Sequence, residues 1–232
     1  MALLAVPVTI AVALILVPLL VKTLDRNAGW PLGLTFLALA GYVIKHADPV
    51  LNGETATWSV TWIQNFLSGA SGAGNASVGA ASTGNSTALD LSLKMDSLGL
   101  FFTLLALLIG AVVFIYSAAY LHRGDKIMSF YVLMTSFMLA VLLLVLADDV
   151  ALLFIGWELV SLASFFLIAR SGSGGEAGSI RTLLLTFVGG LFLLAALGIG
   201  VVTTGTTDLT AMLHSPAWDG QDVRLALSLI HI

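Results

Sequence analysis

Six stretches of this chain run for 15 to 24 residues with scarcely a charge: Leu3–Val21, Trp30–Ile44, Leu98–Leu121, Ile127–Ala147, Val150–Ala169 and Ile180–Thr203. A bilayer core of about 30 Å needs about 20 apolar residues per helix. Runs of that length, repeated six times, predict a membrane-embedded helical bundle. Composition agrees: 59% of the 232 residues are hydrophobic and 9% are charged, against roughly 45–50% and about 25% in soluble domains. So few charges cannot cover a surface that faces water.

The flanks of the runs carry helix-boundary chemistry. Pro7 and Pro18 fall near the ends of the first run, where proline disrupts least. Trp30-Pro31 opens the second with an interfacial aromatic and a first-turn proline. Asp96 precedes the third as a candidate N-cap, and only Asp148-Asp149 separates the fourth from the fifth. No basic residue precedes the first run, which argues against a cleaved signal peptide.

The expected fold class is therefore an all-α integral membrane protein with six complete transmembrane helices plus the start of a seventh. The seventh run opens at Leu225 and stops at Ile232, too short to span, so the chain reads as truncated there. Residues 1–66 hold the first two spans and the start of an external loop. Residues 67–88 are almost all Gly, Ala, Ser, Asn and Thr, a flexible external insertion. Residues 89–222 hold spans three to six, and 223–232 the beginning of the seventh. The sequons at Asn75 and Asn85 read as accidents of the insertion's composition.

Lys22, Arg26, Arg123, Lys126, Arg170 and Arg181 fall on one side of the alternating topology, and Lys45, Lys94 and Arg224 on the other. The positive-inside rule puts the first set in the cytoplasm and the N-terminus outside. Nine acidic residues lie on the outer side, Asp48, Glu54, Asp90, Asp96, Asp148, Asp149, Asp208, Asp219 and Asp222, against Asp25, Asp125 and Glu176 inside.

The remaining acid is Glu158, ninth residue of the fifth span. At 1.5 Å per residue it lies roughly 12 Å from one end and about 16 Å from the other, near the bilayer midplane. A charge there costs about 3 to more than 10 kcal/mol depending on the measure, and such residues mark ion or proton paths. Desolvation favours the neutral form and a neighbouring cation the charged form, so a carboxyl pulled both ways can load and release a proton near neutral pH. Ser161, one turn along, is a candidate hydrogen-bond partner. Asp148 and Asp149 read as a tight interfacial turn or a cation-collecting mouth. The plain alternative for Glu158 is a protonated helix–helix hydrogen bond.

Other chemistries find no support. The chain has no cysteine and a net charge of −4 without a basic stripe, which excludes thiolate chemistry and argues against nucleic acid as a partner. His46, His122 and His214 lack metal-ligand spacing, and no cofactor is implied. Tyr116 and Tyr120 fit an aromatic belt. Ala106 with Gly110, and Gly189-Gly190, fit close helix packing.

The stretch from Ala147 to Ile168, with Gly156-Trp-Glu158 and the serines and phenylalanines after it, resembles the fifth helix of antiporter-like membrane subunits. Lys94-Met-Asp-Ser-Leu-Gly-Leu100, Tyr116-Ser-Ala-Ala-Tyr-Leu121, Phe130-Tyr131 and Trp62-Ile63 are similar to that superfamily too. Two branches are relevant: the large A subunit of Mrp-type sodium/proton antiporters and the L-type subunit of respiratory complex I. Where the complex I branch carries Arg and Asp on the sixth helix, this chain has the uncharged Thr186-Phe-Val-Gly-Gly190, which looks like the Mrp A branch.

That resemblance implies a secondary-transporter subunit rather than an enzyme, in the plasma membrane of a bacterium. It implies hetero-oligomeric partners among other antiporter subunits, and H+ and Na+ as substrates. Glu158 would bind the proton and pair with lysines on later helices, supported by Ser161, Asp148, Asp149 and Asp96. The competing readings are a proton-pumping complex I module, which would be a translocase, and a structural bundle that moves no ions.

Overall fold

The computed structural model describes residues 2–63, 89–121, 126–170 and 174–218. The expected insertion at 67–88 with its sequons, the loop residues His122, Arg123 and Asp125, and the chain from Asp219 through the run at Leu225 lie outside the described residues.

The elements are α1 (Ala2–Leu24), α2 (Gly29–Lys45), α3 (Asp48–Leu51), β1 (Ala56–Ile63), β2 (Leu89–Met95), α4 (Ser97–Tyr120), α5 (Ile127–Leu146), α6 (Val150–Ala169), α7 (Gly175–Thr204) and α8 (Leu209–Leu213). Among the described residues, five stretches are long and apolar enough to cross a membrane: Leu3–Lys45, Ser97–Tyr120, Ile127–Leu146, Val150–Ala169 and Gly175–Thr204. The sequence runs suggested six. The difference arises because α1 and α2 are joined by a single 3-10 turn, Asp25–Ala28, rather than by a loop. Asp25 turns the chain with a positive φ of 52°. Leu3 and Leu4 at the start of α1 line the same cavity as His46, Pro49 and Val50 just past α2, so the two helices run antiparallel.

The expectation of an all-α chain needs one correction. β1 and β2 form a two-stranded antiparallel sheet, with Ala56 opposite Met95 and Trp58 opposite Leu93. Both segments alternate apolar and polar residues, the period of a half-buried strand. Leu93 and Met95 join the core, and Trp58 and Leu91 pack against it.

The core is a seam of helix–helix contacts rather than a globular centre. α2 packs on α4, α1 on α5, α5 on α6, and α6 on α7. Phe36, Phe114 and Tyr131 are fully buried where α2, α4 and α5 meet, and Phe36 and Phe114 have ring centroids 5.0 Å apart. Gly110 fulfils its expected packing role, since a Cβ there would meet Met138 Cε and the Phe36 ring. At the end bearing residues 25–28, the Tyr131 hydroxyl donates to the Arg26 carbonyl at 2.7 Å, while Tyr116 and Tyr120 stack on an exposed face.

Candidate ion-translocation site

At the opposite end of the bundle three connections meet. The chain enters α4 from β2, and Asp96 caps that helix by accepting from Gly99 N–H at 2.7 Å. The α5–α6 turn, residues 147–149, bridges to Leu93 through Ala147 and to Asp208 through Asp149. Backbone bonds close the platform: Asp148 N–H donates to Ser92 O at 2.9 Å, Val150 N–H to Thr207 O at 3.0 Å, and Leu209 N–H to Asp148 O at 2.9 Å. The turn is therefore held from both sides.

Its two carboxylates take different tasks. Asp149, 1% exposed, caps α6 by accepting from Ala151 N–H at 2.8 Å and Leu152 N–H at 3.3 Å. Burial pushes its carboxyl above the usual range. Hydrogen bonds from the Thr207 side chain and the two N–H groups pull it back, and the Asp208 charge raises it further. Asp148 accepts from the Thr210 hydroxyl at 2.6 Å, and Thr210 in turn accepts from Lys94 Nζ at 2.8 Å. A cation on β2 thus reaches a carboxylate on the α5–α6 turn through one hydroxyl on α8.

Asp148 and Asp149, adjacent in the chain, lie in the turn between α5 and α6, with Asp96 capping α4 at the same end. Lys94, Thr207, Asp208 and Thr210 complete the cluster. Lys94 stood inside the segment resembling the antiporter-like subunits; Thr207 and Thr210 carry no sequence signal, because only the pairing of distant loops gives them partners.

Glu158 is separate from this cluster, about 12 Å along α6 from its start. Local structure aims it by elimination. Gly156 packs on α5, where a Cβ would lie 3.0 Å from Leu144 Cα and N. Two residues on, a helix has turned by roughly 200°, so Glu158 faces α7. Its Oε1 occupies the place a side chain at Gly190 would take, and the Trp157 indole nitrogen lies 3.6 Å from that position.

Two expectations change here. Ser161 does not bond Glu158: its hydroxyl donates to the Trp157 carbonyl at 3.1 Å, the back-bond that serine makes within a helix, while the glutamate leans outward to α7. The Gly189-Gly190 pair does not act as a single packing motif. Gly190 is the buried member that accommodates the carboxyl, and a Cβ on Gly189 would meet nothing within 4 Å.

No Lys, Arg or His lies within α4, α5 or α6, and α7 carries only Arg181, near its start. Among the described residues no group of three His, Asp or Glu side chains is placed to hold a metal ion. What the arrangement offers chemically is a single titratable carboxyl in the middle of an apolar helix pair, with an acid-rich platform at one end.

Comparison with known proteins gives a consistent match. Residues 82–131 match the family model described as NADH-ubiquinone oxidoreductase (complex I), chain 5 N-terminus. Residues 147–231 match that described as NADH:quinone oxidoreductase/Mrp antiporter, transmembrane. An antiporter subunit, mnhA2, of Staphylococcus haemolyticus is 29% identical over 86% of this chain and 23% of its own length. Its counterpart in Staphylococcus aureus strain MRSA252 is 39% identical over 55% of this chain and 16% of its own. The solved Mrp complex from Dietzia sp. DQ12-45-1b contains a chain 38% identical to this one, with a TM-score of 0.82 over 99% of this chain and 23% of that one. An archaeal membrane-bound sulfane sulfur reductase shares the fold at 18% identity, with a TM-score of 0.68 over 98% of this chain and 42% of its own. This chain therefore spans under a quarter of the length of the antiporter relatives it matches.

Proposed function

The chain is Mrp A-subunit-like in sequence and in fold, and from that premise we propose that it serves in a multisubunit cation/proton antiporter that exchanges Na+ for H+, with Glu158 as the proton-binding residue. The observation that carries the reading is the seat of Glu158: a carboxyl in the middle of α6, folded against the α7 backbone at Gly190 and remote from the polar ends of both helices. A carboxyl at that depth is too unfavourable to persist as an incidental surface group. Uncharged at Phe187 and Gly190, the α7 segment leaves the proton on Glu158 to be governed by a cation brought from elsewhere in the assembly.

In this reading α1, α2, α4, α5, α6 and α7 are six passes of a bacterial plasma-membrane protein, the apolar run at Leu225 opens a seventh, and the N-terminus is external. The meeting of the β2, α5–α6 and α7–α8 connections at one end of the bundle supports that alternation. The Lys/Arg asymmetry supports its direction. Other antiporter subunits are the partners. The outward platform around Asp148, Asp149 and Asp96 stabilises the helix ends that frame the proton site.

The test is Glu158→Gln in the complete assembly. The amide keeps the shape and hydrogen-bonding capacity and removes titration. Sodium-driven pH change in membrane vesicles is expected to fall by at least about tenfold, as for loss of a proton-transfer group, with subunit assembly unchanged. Glu158→Asp is expected to retain partial exchange at an altered pH optimum. A Glu158→Gln assembly that forms and exchanges at the wild-type rate would make the glutamate structural.

A further inference from the structure

α7 carries six glycines among its 30 residues, and they do not share one purpose. A Cβ built on Gly189 or Gly198 would meet nothing within 4 Å, and one on Gly178 would touch only Ile168 at 4.0 Å. Gly200 abuts Met212. Gly190 alone of these faces the Glu158 carboxyl. We infer that Gly190 is a positioning residue for Glu158: the missing side chain leaves a notch in α7 that fixes where the carboxyl rests between the two helices.

The nature of the contact decides what the notch does. The atom a Cβ at 190 would displace is Oε1, the far end of a flexible side chain, with Glu158 Cδ and Trp157 Nε1 next at 3.6 Å. Backbone of α6 is not among these nearest atoms. A methyl group at 190 therefore swings the carboxyl out of the notch without forcing the helices apart. This is the opposite of Gly156, where the clash is with the Leu144 backbone and only helix displacement relieves it. The sequence places a glycine in both helices; the structure assigns one to packing and the other to the glutamate.

A carboxyl in the notch sits against a stretch of α7 whose own N–H groups are engaged in the helix. Among the described residues, its surroundings contain little else that is charged. α5 offers only Tyr131 as a titratable side chain, and α6 no second one. α7 offers Glu176 and Arg181, with Arg181 about 14 Å along the helix from Gly190. β2 contributes Lys94, which reaches the turn at the start of α6 through Thr210 and Asp148. The notch sets where the carboxyl rests between α6 and α7, and a carboxyl's hold on its proton follows its surroundings.

This inference rests on Glu158 being the proton-binding residue, and its test keeps the two apart. In the complete protein in its native membrane, labelling of Glu158 by a hydrophobic carbodiimide is followed against pH by mass spectrometry of the peptide that contains it; such reagents modify protonated carboxyls. Gly190→Ala is expected to move the labelling midpoint by about half a pH unit or more, the size of shift a changed environment produces. Gly189→Ala gains the same helix propensity in open space and is expected to leave the midpoint in place.

Glu158→Asp shortens the side chain by one methylene, so the shift caused by Gly190→Ala is expected to shrink in that background. An unmoved midpoint in Gly190→Ala, or an equal shift in Gly189→Ala, overturns the notch. If Gly190→Ala fails to accumulate alone but accumulates together with Glu158→Asp, the clash is with the carboxyl and the inference stands; failure in both backgrounds overturns it. Sodium-driven exchange that survives Glu158→Gln would instead refute the proton-site reading, whatever Gly190 does.

Discussion

Replacing Asp149 separates two effects that the platform combines, the helix cap and the buried charge. Asp149→Ala removes the acceptor for Ala151 and Leu152 N–H groups. Loss of an N-cap costs about 1 kcal/mol, and leaving buried donors unpaired adds about 1–3 kcal/mol. The backbone bond from Val150 to Thr207 survives, and removing a buried carboxylate returns part of its desolvation penalty, so a net loss of about 2 kcal/mol is expected. For a chain of this length that is roughly 4–8 °C in Tm.

Asp149→Asn keeps the accepting oxygen and removes the charge. The Asp149 carboxyl is raised above its ordinary 3.8, so the folded state holds that proton more tightly than the unfolded state does. Its contribution to stability is then fully present below about 3.8 and is lost as pH rises through the folded-state value. Thermal unfolding in detergent micelles at about pH 4 and about pH 7.5 reads both effects. The Asn variant should match wild type at the lower pH and melt at or above it at the higher one, while the Ala variant melts lower at both. An Asn variant as unstable as Ala, or a wild type that gains on Asn as pH rises, refutes the reasoning.

Two further substitutions probe the frame. Gly156→Ala brings a Cβ to 3.0 Å from the Leu144 backbone, and should destabilise by about 1–3 kcal/mol as overpacking does; a melt unchanged from wild type would mean that α5 and α6 part without penalty. Thr210→Val removes the hydroxyl between Lys94 and Asp148 and should cost about 1–3 kcal/mol. In a double-mutant cycle with Lys94→Met the losses should fall short of additive, since both act through one network; strict additivity would mean the three residues act independently.

Much of this protein was legible one residue at a time. Uninterrupted apolar runs determine that helices form, because backbone groups removed from water must be satisfied within the segment. Asp96 stands where a capping carboxylate belongs, and it caps α4; Asp149, readable only as part of a turn, caps α6 in the structure. Glu158 stood out because a charged group within an apolar run is conspicuous without any knowledge of its neighbours. The β1–β2 alternation was also readable, yet short strands are obscured when the chain is scanned for spans of about 20 residues.

What the tertiary structure alone decided are relations between segments far apart in the chain. Whether Asp25–Ala28 reverses the chain or merely interrupts a helix depends on backbone dihedrals that composition does not set. Lys94, Asp148 and Thr210 are separated by 54 and 62 residues in sequence and meet only because three connections gather at one end. Ser161 sits at the right spacing to serve Glu158 but turns to its own helix backbone, because helical periodicity places a residue on a face without choosing its hydrogen bond. The difference between Gly189 and Gly190 follows the same logic. Two identical residues side by side point about 100° apart on a helix, and only the position of α6 makes one of them an open face and the other the seat of the Glu158 carboxyl.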